Sequence, residues 1–383
     1  MAEIQTPFDL AALRPRLHKV MDFAADQLTR LTTNHPDFFP IYTRNGRWMH
    51  DGSLWTDWCA GFLGGQLWLL EEYSGESHWR EMAEHYSLLL EYKQHDRDVH
   101  DLGFIFLNTY RPWYRRTGAK RLNNVLITAG RTLAMRFMEN GEYLRSFVAP
   151  ESLFIDIMMN VPIIFYAAEE SGDQALFDKA VRHCRTTENT LVREDGSTAH
   201  EGIFDLKTGA FLRQTTHQGL NGASRWTRGL AWSLYGYAQV YQFTKEIQDL
   251  AVARRNADCF LKNLDDSWIA PWDFDAPSKL DRMPDTSAAA IAASGLFTLA
   301  DIIDEHDLSS ALNYRRSALK MLEALTADGF MGWSSPGWEG ILKRGVYHIH
   351  KKLGVDESVM WGEYFFLEAV MKALRIRENV REI

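Results

Sequence analysis

Apolar residues recur along this chain at helical spacing, in two patterns that alternate. One set of segments is amphipathic with a charged face, and the spacing predicts helices over 15–31, 78–93, 119–139, 174–192, 247–264 and 308–325. The other set is apolar nearly all round, over 57–73, 101–116, 156–170, 227–243, 286–303 and 358–374. A helix that is apolar on every side has to be buried. Solvent-facing helices that each precede a buried one predict an all-α toroid of helical hairpins in two concentric rings. Two stretches break the helical pattern. Residues 195–216 carry turn signals at Asp195-Gly196 and Thr208-Gly209 and read as a short hairpin. Residues 328–357 read as a long Gly- and Trp-rich loop at a rim. No linker interrupts the pattern, so residues 1–383 are expected to form a single domain.

The composition narrows the function classes. Hydrophobic residues make up 46% and charged residues 24%, an ordinary balance for a globular chain that excludes disorder. A net charge of −9 without long Lys/Arg blocks argues against nucleic acid or an anionic membrane as partner. No run of apolar residues is long enough to predict a transmembrane helix, and the N-terminal stretch has no basic-then-apolar leader pattern. Three widely spaced cysteines, Cys59, Cys184 and Cys259, predict free thiols and a reducing, cytoplasmic setting. The aromatic content stands out: 13 Trp, 14 Tyr and 21 Phe suit a large core or a cleft that stacks sugar rings. The pattern does not specify an oligomeric state.

Candidate chemistry gathers where the apolar segments begin. Asp57, Asp101, Asp156 and Asp285 each open one. A carboxylate there can cap free helix N–H groups. If the inner helices run in one direction, the same residues also converge at one mouth, as acid/base chemistry requires. Asp156 sits among Phe154, Ile155, Ile157, Met158 and Met159, surroundings that raise a carboxyl pKa, and a second carboxylate such as Asp101 pushes the same way. A second cluster spans 217–232. There Arg228 and Trp232 share one helix face, and Gln218 with Arg228 suggests a donor pair for a carboxylate or sugar hydroxyls. His200 and His217 lack a third ligand in register, so no metal is expected; His348 and His350 are expected on one strand face at the rim. No phosphate-binding loop, nucleophile elbow or CxxC occurs, and no cofactor is expected.

These residues lie in the motifs WTDWCAGFLGGQLW, HDLGF, IDIMMNVP, THQG, WTRGLAW, RGVYH and WGEYFFLEA, which run from Trp55 onward. Together they resemble the unsaturated glucuronyl hydrolases of glycoside hydrolase family 88. The resemblance implies an (α/α)6 barrel, and an enzyme that hydrates the C4=C5 double bond of a terminal unsaturated uronic acid in lyase-generated oligosaccharides. It implies Asp156 as general acid/base and Asp101, preceded by His100, as the second essential carboxylate. It implies His200, Gln218, Arg228 and Trp232 as substrate-binding residues, with Trp55 at the head of the first motif and Phe147 at an aromatic subsite. His350, Lys351 and Lys352 stand where some relatives carry serines near a sulfate group. The rival expectations are an unsaturated rhamnogalacturonyl hydrolase, a six-hairpin sugar epimerase or isomerase using His bases, and a non-catalytic sugar-binding toroid.

Overall fold

A computed structural model describes residues 8–49, 57–278 and 282–376. Its helices are α1 (Leu10–Asn34), α2 (Gly61–Ser74), α3 (Ser77–Leu88), α4 (Leu102–Phe106), α5 (Tyr110–Thr117), α6 (Lys120–Ala134), α7 (Pro162–Ser171), α8 (Gln174–Leu191), α9 (Thr227–Thr244), α10 (Ile247–Asn263), α11 (Thr286–Ile303), α12 (Leu308–Leu325) and α13 (Met360–Arg375). Two of the apolar segments expected as single helices are broken. The one over 101–116 becomes α4 and α5. Asn108 and Thr109 turn their side chains back onto the Phe104 and Ile105 carbonyls (2.7 and 2.6 Å), and Pro112, which lacks an N–H, fits only in the first turn of a new helix. The one over 156–170 becomes a tight 3-10 turn, Ile155–Met159, followed by α7 with Pro162 at its first position.

The all-round apolar helices close into a ring. Helix α2 packs on α4, α4 on α7, α7 on α9, α9 on α11, α11 on α13, and α13 on α2 again. The amphipathic helices lie outside: α3 on α2, α6 on α5 and α7, α8 on α7, α10 on α9, α12 on α11, and α1 across α13 and α2. This is an (α/α)6 barrel with one continuous core. Phe62, Ile105, Phe165, Leu234, Ile291 and Phe366 are all sealed from solvent within it. Fully burying a side chain of this kind contributes roughly 1.5–3 kcal/mol. By length and composition alone α11 could cross a membrane. Its composition reflects its place in the inner ring, where it is sealed by α9, α12 and α13.

Short strands sit on the barrel ends. They are β1 (Thr43–Arg44), β2 (Arg47–Trp48), β3 (Phe137–Met138), β4 (Tyr143–Leu144), β5 (Ser152–Phe154), β6 (Glu201–Phe204), β7 (Phe211–Thr215), β8 (Gly345–His348) and β9 (Leu353–Glu357). The hairpin expected over 195–216 is β6–β7, and β5 adds to it as a third strand. The loop expected over 328–357 is partly regular, with a 3-10 turn at Gly332–Ser334 and the antiparallel pair β8–β9. His348 ends β8 and His350 lies in the following turn, so the two do not share a strand face. All three cysteines are buried and free.

Candidate active site

The segments that lead into the inner helices meet at one mouth. A cleft there, with about 460 Å³ of free space including its opening, is lined by Trp58 before α2, Asp101 before α4, Asp156 before α7, Arg228 at the start of α9, and Tyr347 from β8. His100, Phe147, Val148, Phe154, His217 and Gln218 complete the wall. Of the four aspartates that open apolar segments, only Asp285 caps its helix through its side chain, accepting from the Ser287 N–H at 3.1 Å. Asp57 is engaged by the Lys93 ammonium (3.1 Å) instead. Asp101 stands at the cap position of α4 without making the cap bond, and Asp156 lies inside the 3-10 turn. The two cleft carboxyls are therefore spared from capping.

Close backbone approach fixes both. A Cβ added to Gly103 would lie 2.5 Å from the Asn160 Cα, so α4 and the Asp156 turn meet only because that position is glycine. Asn160 uses the contact, its Oδ1 accepting from the Phe104 N–H at 2.8 Å. On the other side, β5 pairs with β6, and the Ile155 N–H donates to the His200 carbonyl (3.0 Å), setting His200 beside Asp156.

Each carboxyl faces a histidine whose proton position can be read from its partners. His200 Nδ1 accepts the N–H groups of His217 (3.0 Å) and Gln218 (3.3 Å). Its proton is therefore on Nε2, which lies 3.6 Å from Asp156 Oδ2. His100 repeats the arrangement. Its Nδ1 accepts from the Phe147 N–H (3.0 Å), and its Nε2 lies 3.5 Å from Asp101 Oδ1. These gaps are longer than a formed hydrogen bond. Burial first, and nearby cations and histidines second, hold both imidazoles well below the usual histidine range. Burial also raises the Asp156 carboxyl to about 6, against a smaller downward pull from the Arg228 charge. Asp101 is held well above the ordinary carboxylate range, by burial first and by Asp156 second.

Arg228 is buried, and its terminal donors are used within the protein. Nη1 donates to Asp285 Oδ2 (3.2 Å) and to the Val346 carbonyl; Nη2 donates to the Tyr347 carbonyl (2.9 Å) and to Gln218 Oε1. The cation also lies over the Trp226 and Trp361 rings, at 4.6 and 5.3 Å. The expected donor pair thus differs in detail. Gln218 and Arg228 bind one another, and the engaged Oε1 leaves the Gln218 amide N–H₂ as its donor toward the cleft. Arg228 contributes a fixed positive charge and holds the β8 wall to α9.

The remaining expected residues divide. Phe147 is in the cleft wall, tilted against His100 at 5.1 Å. Trp232 is not: one turn below Arg228, it is packed between Phe104 and Phe365 in the core. Lys351 and Lys352 are exposed in the β8–β9 turn, outside the cleft wall, while His350 ties that turn to the Gly219 carbonyl at 2.7 Å. Trp55 lies outside the described residues. The sequence reading missed Trp58, whose indole N–H donates to Tyr347 Oη at 3.2 Å, although it stands directly after Asp57 in the first motif. It also passed over His217 as a wall residue. That side chain is 38% exposed, and its Nε2 is 3.3 Å from the buried Glu201 carboxylate, which Ser152 also binds. Among the described residues no three His, Cys, Asp or Glu side chains converge to hold a metal ion.

Comparison with known proteins follows the same outline. The model for Glycosyl Hydrolase Family 88 matches residues 30–370. The chain belongs to this family. An unsaturated glucuronyl hydrolase of Bacillus sp. (strain GL1) is 31% identical over 331 residues, covering 84% of this chain and 87% of that protein. The crystal structure of the Bacillus sp. GL1 enzyme superposes with a TM-score of 0.88 at 28% identity, over 94% of this chain and 97% of that one. An unsaturated chondroitin disaccharide hydrolase of Streptococcus pyogenes serotype M1 is 30% identical, covering 83% of this chain and 81% of that protein. A mutant unsaturated glucuronyl hydrolase of Streptococcus agalactiae, in complex with dGlcA-GalNAc6S, matches with a TM-score of 0.80 at 27% identity, over 97% of this chain and 96% of that one. As a family 88 member the chain is a glycoside hydrolase that acts on carbohydrate.

Proposed function

We propose that the chain is an unsaturated glucuronyl hydrolase whose acid/base is Asp156. The observation that carries the reading is the Asp156 carboxyl itself. It is set in an apolar turn at the cleft floor, raised to about 6, and faced by a neutral His200. A carboxyl poised there holds its proton in part of the enzyme near neutral pH and can give and recover it. Protonated Asp156 delivers its proton to C4 of the unsaturated uronic acid. A water molecule adds at C5 and returns a proton to the carboxylate. The resulting hemiketal opens and releases the adjoining sugar. Asp101 and the Gln218 amide hold ring hydroxyls and the substrate carboxylate, and the Arg228 charge makes the cleft favourable to that anion. Trp58, Phe147 and Tyr347 give flat apolar faces for the sugar rings.

The two buried histidines that face the carboxyls do not favour an isomerase. His100 and His200 already carry their proton on Nε2, the atom that faces the cleft carboxyls, so neither has a lone pair to offer there as a base. The relatives that act on unsaturated chondroitin disaccharide and that bind dGlcA-GalNAc6S support unsaturated disaccharides from chondroitin-type polysaccharides as the substrate class. Three buried free thiols support a cytoplasmic location. The test uses an oxygen-linked unsaturated uronyl disaccharide, its sulfur-linked analogue and a saturated glucuronide. Hydration consumes the first two, seen as loss of ultraviolet absorbance, and leaves the third untouched. Cleavage of the saturated glucuronide at a comparable rate would overturn the mechanism, because a direct displacement needs no double bond.

A further inference from the structure

The barrel has a second mouth, at the C-terminal turns of the inner helices. A cavity there holds about 1350 Å³ of free space including its opening, larger than the cleft. Phe104 and Phe365 line it and, packed on Trp232, form an aromatic plug beneath the catalytic end. In a chain of net charge −9 its wall is cationic: Arg111, Arg115, Arg116, Lys372 and Arg375 against Glu72 and Glu368. Three of these cations are accounted for within the protein. Arg116 pairs with Glu71 and Glu72, Arg375 with Glu72, and Lys372 with Glu368, besides hydrogen bonds to Tyr235 (2.7 Å), Ser294 (2.8 Å) and Thr298 (2.9 Å).

Arg111 and Arg115 are not accounted for. They stand one turn apart on α5, where like charges repel, and among the described residues no carboxylate lies within ion-pair distance of either. Arg111 Nε is buried without a hydrogen-bond partner. Its guanidinium lies 5.7 Å from the centre of the Tyr166 ring. Burial, and Arg115 beside it, pull its guanidinium down to about 10. A half-buried guanidinium with a buried, unused donor is costly to the fold unless something anionic completes it.

We propose that this second mouth is an oxyanion site, in which Arg111 and Arg115 hold a carboxylate, sulfate or phosphate group of a small molecule. The forked donors suit a planar carboxylate or a tetrahedral oxyanion. Trp68, Tyr235 and Tyr364 supply ring faces, and Gln239 and Gln242 supply hydrogen-bonding groups, for a sugar that carries the anion. The site is separate from the catalytic cleft, and its existence does not depend on the reaction assigned there.

Titration calorimetry at constant ionic strength, with sulfate, phosphate and saturated glucuronate in turn, tests this. The wild type should show saturable binding of at least one of them in the millimolar range. Arg111→Met/Arg115→Met should weaken it about tenfold or more, as expected for losing a charge-assisted contact. Lys351→Ala/Lys352→Ala should leave it unchanged, which separates this site from the cleft rim. Turnover of the unsaturated disaccharide serves as the fold control, and should the double variant fail to fold, the exposed Arg115→Gln variant alone should still weaken binding. Tighter glucuronate than sulfate or phosphate identifies a sugar acid as occupant; the reverse order identifies a free inorganic anion. No saturable binding of any of the three, or binding that both arginine variants retain, overturns the proposal.

Discussion

Replacing Asp156 by asparagine should stabilise the fold while removing its activity. The wild-type carboxyl has a folded pKa of about 6 against 3.8 for the free group, with burial as the largest cause. An acid whose pKa is raised on folding binds its proton more tightly in the native state. Its favourable contribution is complete below about pH 4 and is lost as pH rises through about 6. Two units at 1.36 kcal/mol each give about 3 kcal/mol; because the side chain keeps 15% of its surface open to the cleft, about 1–3 kcal/mol is the working range. For 383 residues, at ~2.1 cal/mol/K per residue, that corresponds to a rise in Tm of roughly 1–4 °C near pH 7.5. The asparagine cannot ionise, so most of the gain should vanish by pH 4. Turnover should fall by about 10²–10⁴, the usual scale of a lost general acid/base. The assay is scanning calorimetry of both proteins at fixed scan rate at the two pH values, with disaccharide turnover on the same samples. A variant less stable than wild type at pH 7.5, or one equally stabilised at both pH values, would refute burial of an ionised Asp156 as the source of its raised pKa.

Other outcomes follow from the same geometry. The kcat/KM profile of the wild type should decline with an alkaline limb near pH 6, as Asp156 loses the proton it must donate. Arg228→Met removes the charge that lowers this pKa, so the limb should move to higher pH; it also strands the buried Asp285 carboxylate, at a cost of about 3–5 kcal/mol that Asp285→Asn should partly restore. Trp232→Phe should lower Tm and leave KM unchanged, because the indole packs in the core and not in the cleft wall; a raised KM with unchanged Tm contradicts that placement. Lys351→Ala/Lys352→Ala should slow substrates with a sulfated leaving sugar more than neutral ones, since both side chains are exposed in the turn after β8; equal losses on both would count against a rim role.

Legibility in the sequence followed local chemistry. Helices α11 and α12 were readable to the residue because Asp285 and Asp307 mark their starts. The broken segment over 101–116 looked continuous because its apolar spacing persists through Asn108 and Thr109, whose side chains capture the carbonyls of the previous turn. Asp156 stood out through its apolar neighbours, which is also the physical reason its carboxyl is perturbed; Asp101 stood out only as the opening of an apolar segment. Trp232 was misplaced because sharing a face with Arg228 says nothing of depth. One turn along α9 moves a side chain ~6 Å down the barrel axis, from the wall to the plug. The Trp58–Tyr347 contact joins residues far apart in the chain and has no local signature.

The closed ring also governs when the cleft can come into being. Its wall draws on the lead-ins to α2, α4 and α7, on the start of α9 and on β8 just ahead of α13. Helix α1 in turn holds α13 through Arg14, which donates to the Leu374 carbonyl at 3.1 Å. Helix α1 can therefore meet α2 early, but its contact with α13 must wait until the ring has come round. A growing chain can stack its hairpins one by one, yet the cleft wall stays incomplete until Tyr347 on β8 is in place. Because α13 packs back onto α2 as well as α1, the ring has no free edge once closed, and the cleft is set by all six hairpins together.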